Sequence, residues 1–277
     1  MAKNLKLKII IGFACVLVTA GVLLMTLIVM PVLHDRECRE RVFSDLKEKS
    51  VQVRASVIGL IPKTTGADGS VTYGGGGSAT VISKENGSYY AITAAHAVGN
   101  KNAEYKVFSI NTPYTTVDDP SLSAAGIEIV SDSFYESLTD AKVEYMSPDI
   151  DAAIISFKSE EELICAENWA EDVSEDERIV CLGFPDGRYI SDSYGTILGR
   201  ESRKFSDDSG SGTVDTVVRH DAYLNQGSSG GPAFNEDMRL CGMNIGGEFD
   251  RAGNFKAGYM LDARKLKKCL ESWQASR

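Results

Sequence analysis

The 277-residue chain holds little from which a covalent or metal-based framework could be built. Its six cysteines are Cys15, inside an apolar run, and Cys38, Cys165, Cys181, Cys241 and Cys269 beyond it. Five thiols spread over that length make no disulfide framework, and no pair has the spacing of metal ligands. Cys181 and Cys241 fall in predicted strands of the same half, where they are read as buried free thiols rather than a bridge. There is no internal repeat of solenoid period. Histidine is scarce, at positions 34, 96 and 220 only, and positive charge is outnumbered by negative, 29 residues against 39. The first 33 residues carry three lysines and no acid, which leaves the remainder at a net −13. Such a surface argues against nucleic acid or anionic lipid as its partner, and its plain reading is solubility.

Ile9 to Leu33 runs without a charge, after Lys3, Lys6 and Lys8. As a helix at ~1.5 Å per residue it reaches ~37 Å, enough to cross a hydrocarbon core of ~30 Å with some tilt. The run is too long for a cleaved leader, and no small-residue cut site lies near Met30-Pro31-Val32-Leu33, so residues 9–33 are read as an uncleaved anchor. Lysine and arginine flank it on both sides, and charge alone leaves its orientation nearly balanced. Residues 34–50 are charged, with Val42, Leu46 and Val53 at helical spacing, and read as a stalk.

From there the pattern turns to strands. Val51–Ile61 alternates and reads as the first. Lys63–Gly77 reads as a flexible loop ending in four glycines. Gly77–Ile82 and Ser88–Thr93 form a hairpin about Asn86-Gly87, a pairing that suits a two-residue turn better than the overlapping glycosylation sequon suggests. A long polar loop, Asn111–Gly126, precedes strands at Glu128–Val130, Ala141–Tyr145 and Ala152–Phe157, expected to close a first barrel over about 51–158. Glu160–Glu177 is acidic and irregular, a linker. Arg178–Pro185, Tyr194–Gly199, Val214–Arg219, Pro232–Asn235, Leu240–Ile245 and Ala257–Leu261 give a second set over about 178–262, with Ser202–Gly212 as a further loop. An amphipathic helix, 263–273, ends the pattern. Many short strands between turn signals predict an all-β protein of two antiparallel six-stranded barrels.

Three motifs carry chemistry. Asn225-Gln226-Gly227-Ser228-Ser229-Gly230-Gly231-Pro232 sets a serine between glycines, the backbone that exposes a hydroxyl and frees N–H groups for an oxyanion. Alone it is as well explained by a turn. Upstream, Thr93-Ala94-Ala95-His96-Ala97-Val98 ends an apolar strand in histidine, and Asp149-Ile150-Asp151-Ala152-Ala153-Ile154 leads an acid into another strand. His, Asp and Ser in that chain order match one of the known triad orders and not those of subtilisins or α/β-hydrolases.

With these motifs, and Gly77-Ser78-Ala79-Thr80-Val81-Ile82, the chain resembles the trypsin-like serine proteases, above all their bacterial Deg/HtrA branch. The resemblance spans nearly all of the chain after the apolar run. It implies Ser229 as nucleophile, His96 as base, Asp151 as the acid that orients it, and the N–H groups of Gly227 and Ser229 as oxyanion donors. Asp149 competes for the acid's role, but the family's acid directly precedes an apolar strand, and Asp151 fits. Ser228 stands where digestive members carry an aspartate and Deg/HtrA members usually asparagine, so activation by N-terminal clipping is not expected. The implied pocket base is Tyr223, with Asn244, Ile245 and Gly246 as the facing wall. With no acid at Tyr223, cleavage after Arg or Lys is not expected, and Tyr223 is expected to fill the pocket and favour small apolar side chains. The resemblance further implies polypeptide substrates, no cofactor and no metal. It places the N-terminus in the cytoplasm and residues 51–277 outside, as a protease domain with no length left for a PDZ domain. Related proteases often trimerise; no stretch here identifies such a contact. Two other activities share these motifs, a silent domain that binds peptides or senses extracytoplasmic stress and an esterase.

Overall fold

Short apolar runs, most of them buried along much of their length, make the strands, and the computed structural model describes residues 25, 41–121, 129–147, 149–206 and 212–277, with backbone alone at 204–206 and 212–215. Leu46–Arg277 forms one compact unit holding both barrels. The first barrel is built from β1 (Val57–Thr65), β3 (Gly77–Glu85), β4 (Ser88–Thr93), β5 (Ala103–Phe108), β6 (Thr139–Met146) and β7 (Ala153–Lys158), with the short β2 (Val71–Tyr73) hung on β1. Its order is β1-β3-β4-β7-β6-β5, and β5 closes it by pairing back onto β1. The second barrel closes in the order β10-β13-β12-β11-β8-β9. Its strands are β8 (Arg178–Gly183), β9 (Ser191–Ser206), β10 (Gly212–His220), β11 (Pro232–Asn235), β12 (Leu240–Phe249) and β13 (Phe255–Asp262). All pairings are antiparallel.

Local chemistry explains the sharpest turns. Asn86 and Gly87 both take positive φ, 51° and 79°, which matches the right-handed twist of the strands they join. Among the described residues, α1 (Ser44–Ser50), α2 (Asp132–Ser137) and α3 (Ala263–Ala275) are α-helices. The Asp262 carboxylate caps α3 by accepting the Lys265 N–H at 3.1 Å. The helix buries Leu266, Cys269 and Trp273, residues three and seven apart on one face.

Several expectations are corrected. Val51–Ser56 is a 3-10 helix, and the first strand starts at Val57. The strand expected at Glu128–Val130 is not the one that completes the first barrel. Val130 makes only an isolated bridge to Thr116, and β5 takes that place with Tyr105 and Val107 buried. The Lys63–Gly77 loop is partly a hairpin, with Lys63 opposite Tyr73. Likewise β9 and β10 extend through most of Ser202–Gly212, leaving residues 207–211 outside the described residues. The expected membrane span at 9–33 also lies outside them, apart from Met25, and no helix among the described residues is long and apolar enough to cross a membrane.

Cys181 and Cys241 are free and buried. They sit on β8 and β12, with β11 between, so about 9.6 Å of sheet separates the two strands, beyond the reach of a disulfide. One apolar cluster joins the barrels: Ile82, Ile92, Ala94, Ala152 and Ile154 from the first meet Val217, Met243, Ile245 and Leu261 from the second, under Leu266 and Trp273 of α3. Ala94 and Ala152 of this shared core lie next to His96 and Asp151 in the chain.

Candidate active site

β4 delivers Thr93 and Ala94 to a 3-10 turn, Ala95–Val98, that presents His96 at the barrel edge with its side chain 51% exposed. Thr93 lies opposite Ala153 in the β4–β7 ladder, and extending that antiparallel register brings Asp151 beside His96. Both carboxylate oxygens are used. Asp151 Oδ2 lies 2.6 Å from His96 Nδ1, and Oδ1 accepts the His96 backbone N–H at 2.8 Å. A carboxylate only accepts, so Nδ1–H donates, and in the neutral ring Nε2 is the nitrogen left without a proton. Partial burial opposes the charged imidazole, but the Asp151 hydrogen bond and charge outweigh it and raise the His96 pKa above its usual value. Asp149 is exposed and makes no such contact. His220 is fully buried in the second barrel, and His34 lies outside the described residues.

Ser229 sits in the turn between β10 and β11, docked onto the first barrel. Its carbonyl accepts the Ser78 N–H at 2.7 Å. Gly230, at φ 86°, fits where any Cβ would stand 2.0 Å from the Ser78 carbonyl oxygen and 2.4 Å from Thr93 Oγ1. The nucleophile loop is thus pressed against the residues that lead into His96. No hydrogen bond joins Ser229 Oγ to His96 among those the structure contains.

The N–H groups of Gly227 and Ser229 donate to no group of the protein among the described residues. Their neighbours are tied: Ser228 N–H to the Asn225 carbonyl at 3.0 Å, Gly230 N–H to the Asn244 carbonyl at 2.7 Å, and Gly231 N–H to the Ser228 carbonyl at 3.0 Å. The Gln226 carbonyl accepts the Asp186 N–H at 2.9 Å. In a trans peptide the N–H points opposite to the C=O, so the Gly227 N–H faces away from Asp186. Gly227 takes φ 91°, and a Cβ there would lie 2.7 Å from the Phe184 carbonyl oxygen. The Ser228 hydroxyl accepts the Asn225 N–H at 3.2 Å, closing the turn from within, and it forms no ion pair.

Of the four residues expected to line a pocket, Asn244, Ile245 and Gly246 are consecutive on β12 and Tyr223 follows β10. Tyr223 is 52% exposed, and its ring rests on Phe255, with centroids 5.1 Å apart, and near Phe249. Asn244 is buried, its side chain meeting the Cys181 thiol at 3.4 Å and the Pro232 carbonyl at 3.4 Å. Ile245 belongs to the inter-barrel core. Gly246 has open space where a Cβ would stand. Sequence reasoning overlooked Ser78 and Asp186. The signal for Ser78 was a hydroxyl at the buried start of β3, one it shares with Thr80; for Asp186 there was a turn-forming Pro-Asp-Gly.

The trypsin-like peptidase domain family matches residues 77–243, and the chain belongs to that family. Among curated proteins it is similar to the serine protease Do-like HtrA of Bacillus subtilis (strain 168), 27% identical over 176 residues, 62% of this chain and 34% of that protein. It is also similar to a probable periplasmic serine endoprotease, DegP-like, of Rickettsia conorii (strain ATCC VR-613 / Malish 7), 27% identical over 122 residues, 44% of this chain and 24% of that protein. The chain thus spans about a third or less of the length of these relatives. Two solved structures share the fold. The active form of the Rv3671c protease from M. tuberculosis matches with a TM-score of 0.57 and 19% identity, over 80% of this chain and 82% of that one. The MamO protease domain from Magnetospirillum magneticum matches with a TM-score of 0.55 and 20% identity, over 78% of this chain and 96% of that one.

Proposed function

We propose that the chain is a membrane-anchored serine endopeptidase acting on polypeptides outside the cytoplasm, in protein quality control. The observation that carries the activity is the oriented His96–Asp151 pair beside a serine loop whose Gly227 and Ser229 N–H groups are left unpaired. Ser229 Oγ attacks the scissile carbonyl as His96 Nε2 takes its proton. The carbonyl π pair becomes an oxyanion held by Gly227 and Ser229 N–H. Collapse expels the amine, which receives the proton from the imidazolium, and water then repeats the sequence on the acyl-enzyme. Asp151 holds the imidazole tautomer and stabilises its charged form throughout. The anchor rests on the uncharged run 9–33, and the extracytoplasmic placement on the family's usual compartment.

One observation favours a second reading, a silent domain that binds peptides or senses stress: Ser229 Oγ makes no hydrogen bond with His96 in the resting structure. Resting active sites often tighten only with substrate, so the enzyme reading stands first. Fluorophosphonate labelling of the full chain in detergent, with Ser229→Ala and Ser228→Ala beside it, separates the two. Labelling lost only in Ser229→Ala supports the enzyme, and no labelling of folded wild-type chain brings the silent domain forward. Peptide and ester substrates assayed side by side, and a peptide library read for cleavage after basic residues, test substrate class and side-chain preference.

A further inference from the structure

The Ser78 hydroxyl is fully buried at the junction of the barrels, and it both donates and accepts there. It donates to the Gly227 carbonyl at 2.7 Å and accepts the Phe184 N–H at 2.8 Å. The first bond fixes the peptide that follows Gly227. The second holds the root of the Pro185–Gly187 turn, whose Asp186 N–H in turn fixes the peptide preceding Gly227 through the Gln226 carbonyl at 2.9 Å. Asp186 adopts φ 57° to do so, a conformation uncommon outside glycine. Both peptide planes flanking Gly227, among them the 226–227 plane that carries its N–H, are therefore referred to one hydroxyl. That hydroxyl belongs to β3 of the first barrel, whereas Gly227, Phe184 and Asp186 belong to the second. The Ser78 backbone makes the same crossing, through its N–H to the Ser229 carbonyl.

We infer that Ser78 is a positioning residue for the oxyanion hole, a latch through which the first barrel holds the Gly227 donor of the second in its catalytic orientation. It touches no substrate. Without the hydroxyl the Gly227 carbonyl loses its donor, the Phe184 N–H loses its acceptor, and the 226–228 peptides are free to rotate. Rotation turns the Gly227 N–H out of the cleft, leaving Ser229, His96 and Asp151 in place but the oxyanion half-supported. The latch also makes formation of the hole depend on how the two barrels are set against each other.

This inference rests on the proposed peptidase activity. The test compares Ser78→Thr with Ser78→Val in the full chain in detergent, two side chains of one shape that differ in the hydroxyl. Rates are normalised to folded protein by circular dichroism. On a fluorogenic peptide that the wild-type chain cleaves, kcat of the valine variant is expected to fall on the order of 10²-fold below that of the threonine variant, near the loss of one oxyanion donor. KM and the acidic limb of the pH profile stay unchanged, because ground-state contacts and His96–Asp151 are untouched. The rate of fluorophosphonate labelling falls in parallel. Equal rates in the two variants, a loss carried by KM, or a shifted acidic limb would overturn the inference. Should the valine variant not fold, Ser78→Ala takes its place, since it removes the hydroxyl without adding a methyl. An unreactive wild-type chain would instead refute the underlying peptidase reading.

Discussion

Asp151 grips His96 at two points, ring and backbone, with its two oxygens 2.6 Å from Nδ1 and 2.8 Å from the main-chain nitrogen. Asp151→Asn keeps the shape and one acceptor but removes the charge, and permits the wrong tautomer. The expected loss in kcat is on the order of 10⁴-fold. Asp151 is also what holds the His96 pKa above its usual value against burial. Activity needs the neutral ring, so the acidic limb of kcat/KM in the native enzyme lies above the ordinary histidine pKa of about 6.5. In Asp151→Asn it moves to lower pH, measured as kcat/KM across pH 5 to 9.

Gly230 admits no side chain. Its φ of 86° and the Ser78 carbonyl 2.0 Å from a would-be Cβ set two penalties on Gly230→Ala. Stability is expected to fall by about 2 kcal/mol, with fluorophosphonate labelling lost while the far-ultraviolet spectrum is retained. Undiminished labelling would show that the loop can dock onto the first barrel by another route.

His220 is expected to make the protein sensitive to acid. It is fully buried, and neither ring nitrogen has a hydrogen-bond partner among the described residues. Burial pushes its pKa down to about 4, with Asn244 and Asp221 pulling weakly the other way. Between pH 6.5 and 4 the unfolded chain binds a proton that the native state refuses. The contribution to stability is therefore whole above pH 6.5 and is lost as pH falls toward 4, by about 3 kcal/mol at the limit. His220→Leu is expected to flatten the pH dependence of denaturant unfolding across that window, while the wild-type slope persists if other groups dominate.

Trp273, near the end of α3, rests on Tyr90 of the first barrel with ring centroids 5.0 Å apart. The helix follows directly from β13 of the second barrel, so this contact ties the two together. Trp273→Ala is expected to cost about 3 kcal/mol in urea unfolding. An unchanged unfolding midpoint would show the helix to be peripheral to the fold.

The sequence alone determined whatever rests on local chemistry. The Asn86-Gly87 turn is written in two residues able to take positive φ, and the six strands of the second barrel fall on the six segments that alternate between turn signals. The capped, one-sided pattern of α3 is equally local. His96, Asp151 and Ser229 could be singled out as candidates because each stands within a few residues of an apolar strand in a distinctive short motif. What failed to show was anything fixed by closure. The strand β5 has an ordinary alternating pattern, and only hydrogen bonds to both β1 and β6 make it the one that completes the first barrel. Tyr223 faces outward because Phe249 and Phe255, more than 20 residues away, offer its ring a surface. The role inferred for Ser78 depends on distances between barrels, and the Asp186 contact with Gln226 on two loops of one barrel meeting, neither of which spacing along the chain encodes. A motif names the atoms that can react; their orientation is set by long-range packing, which emerges only when both barrels have closed and met.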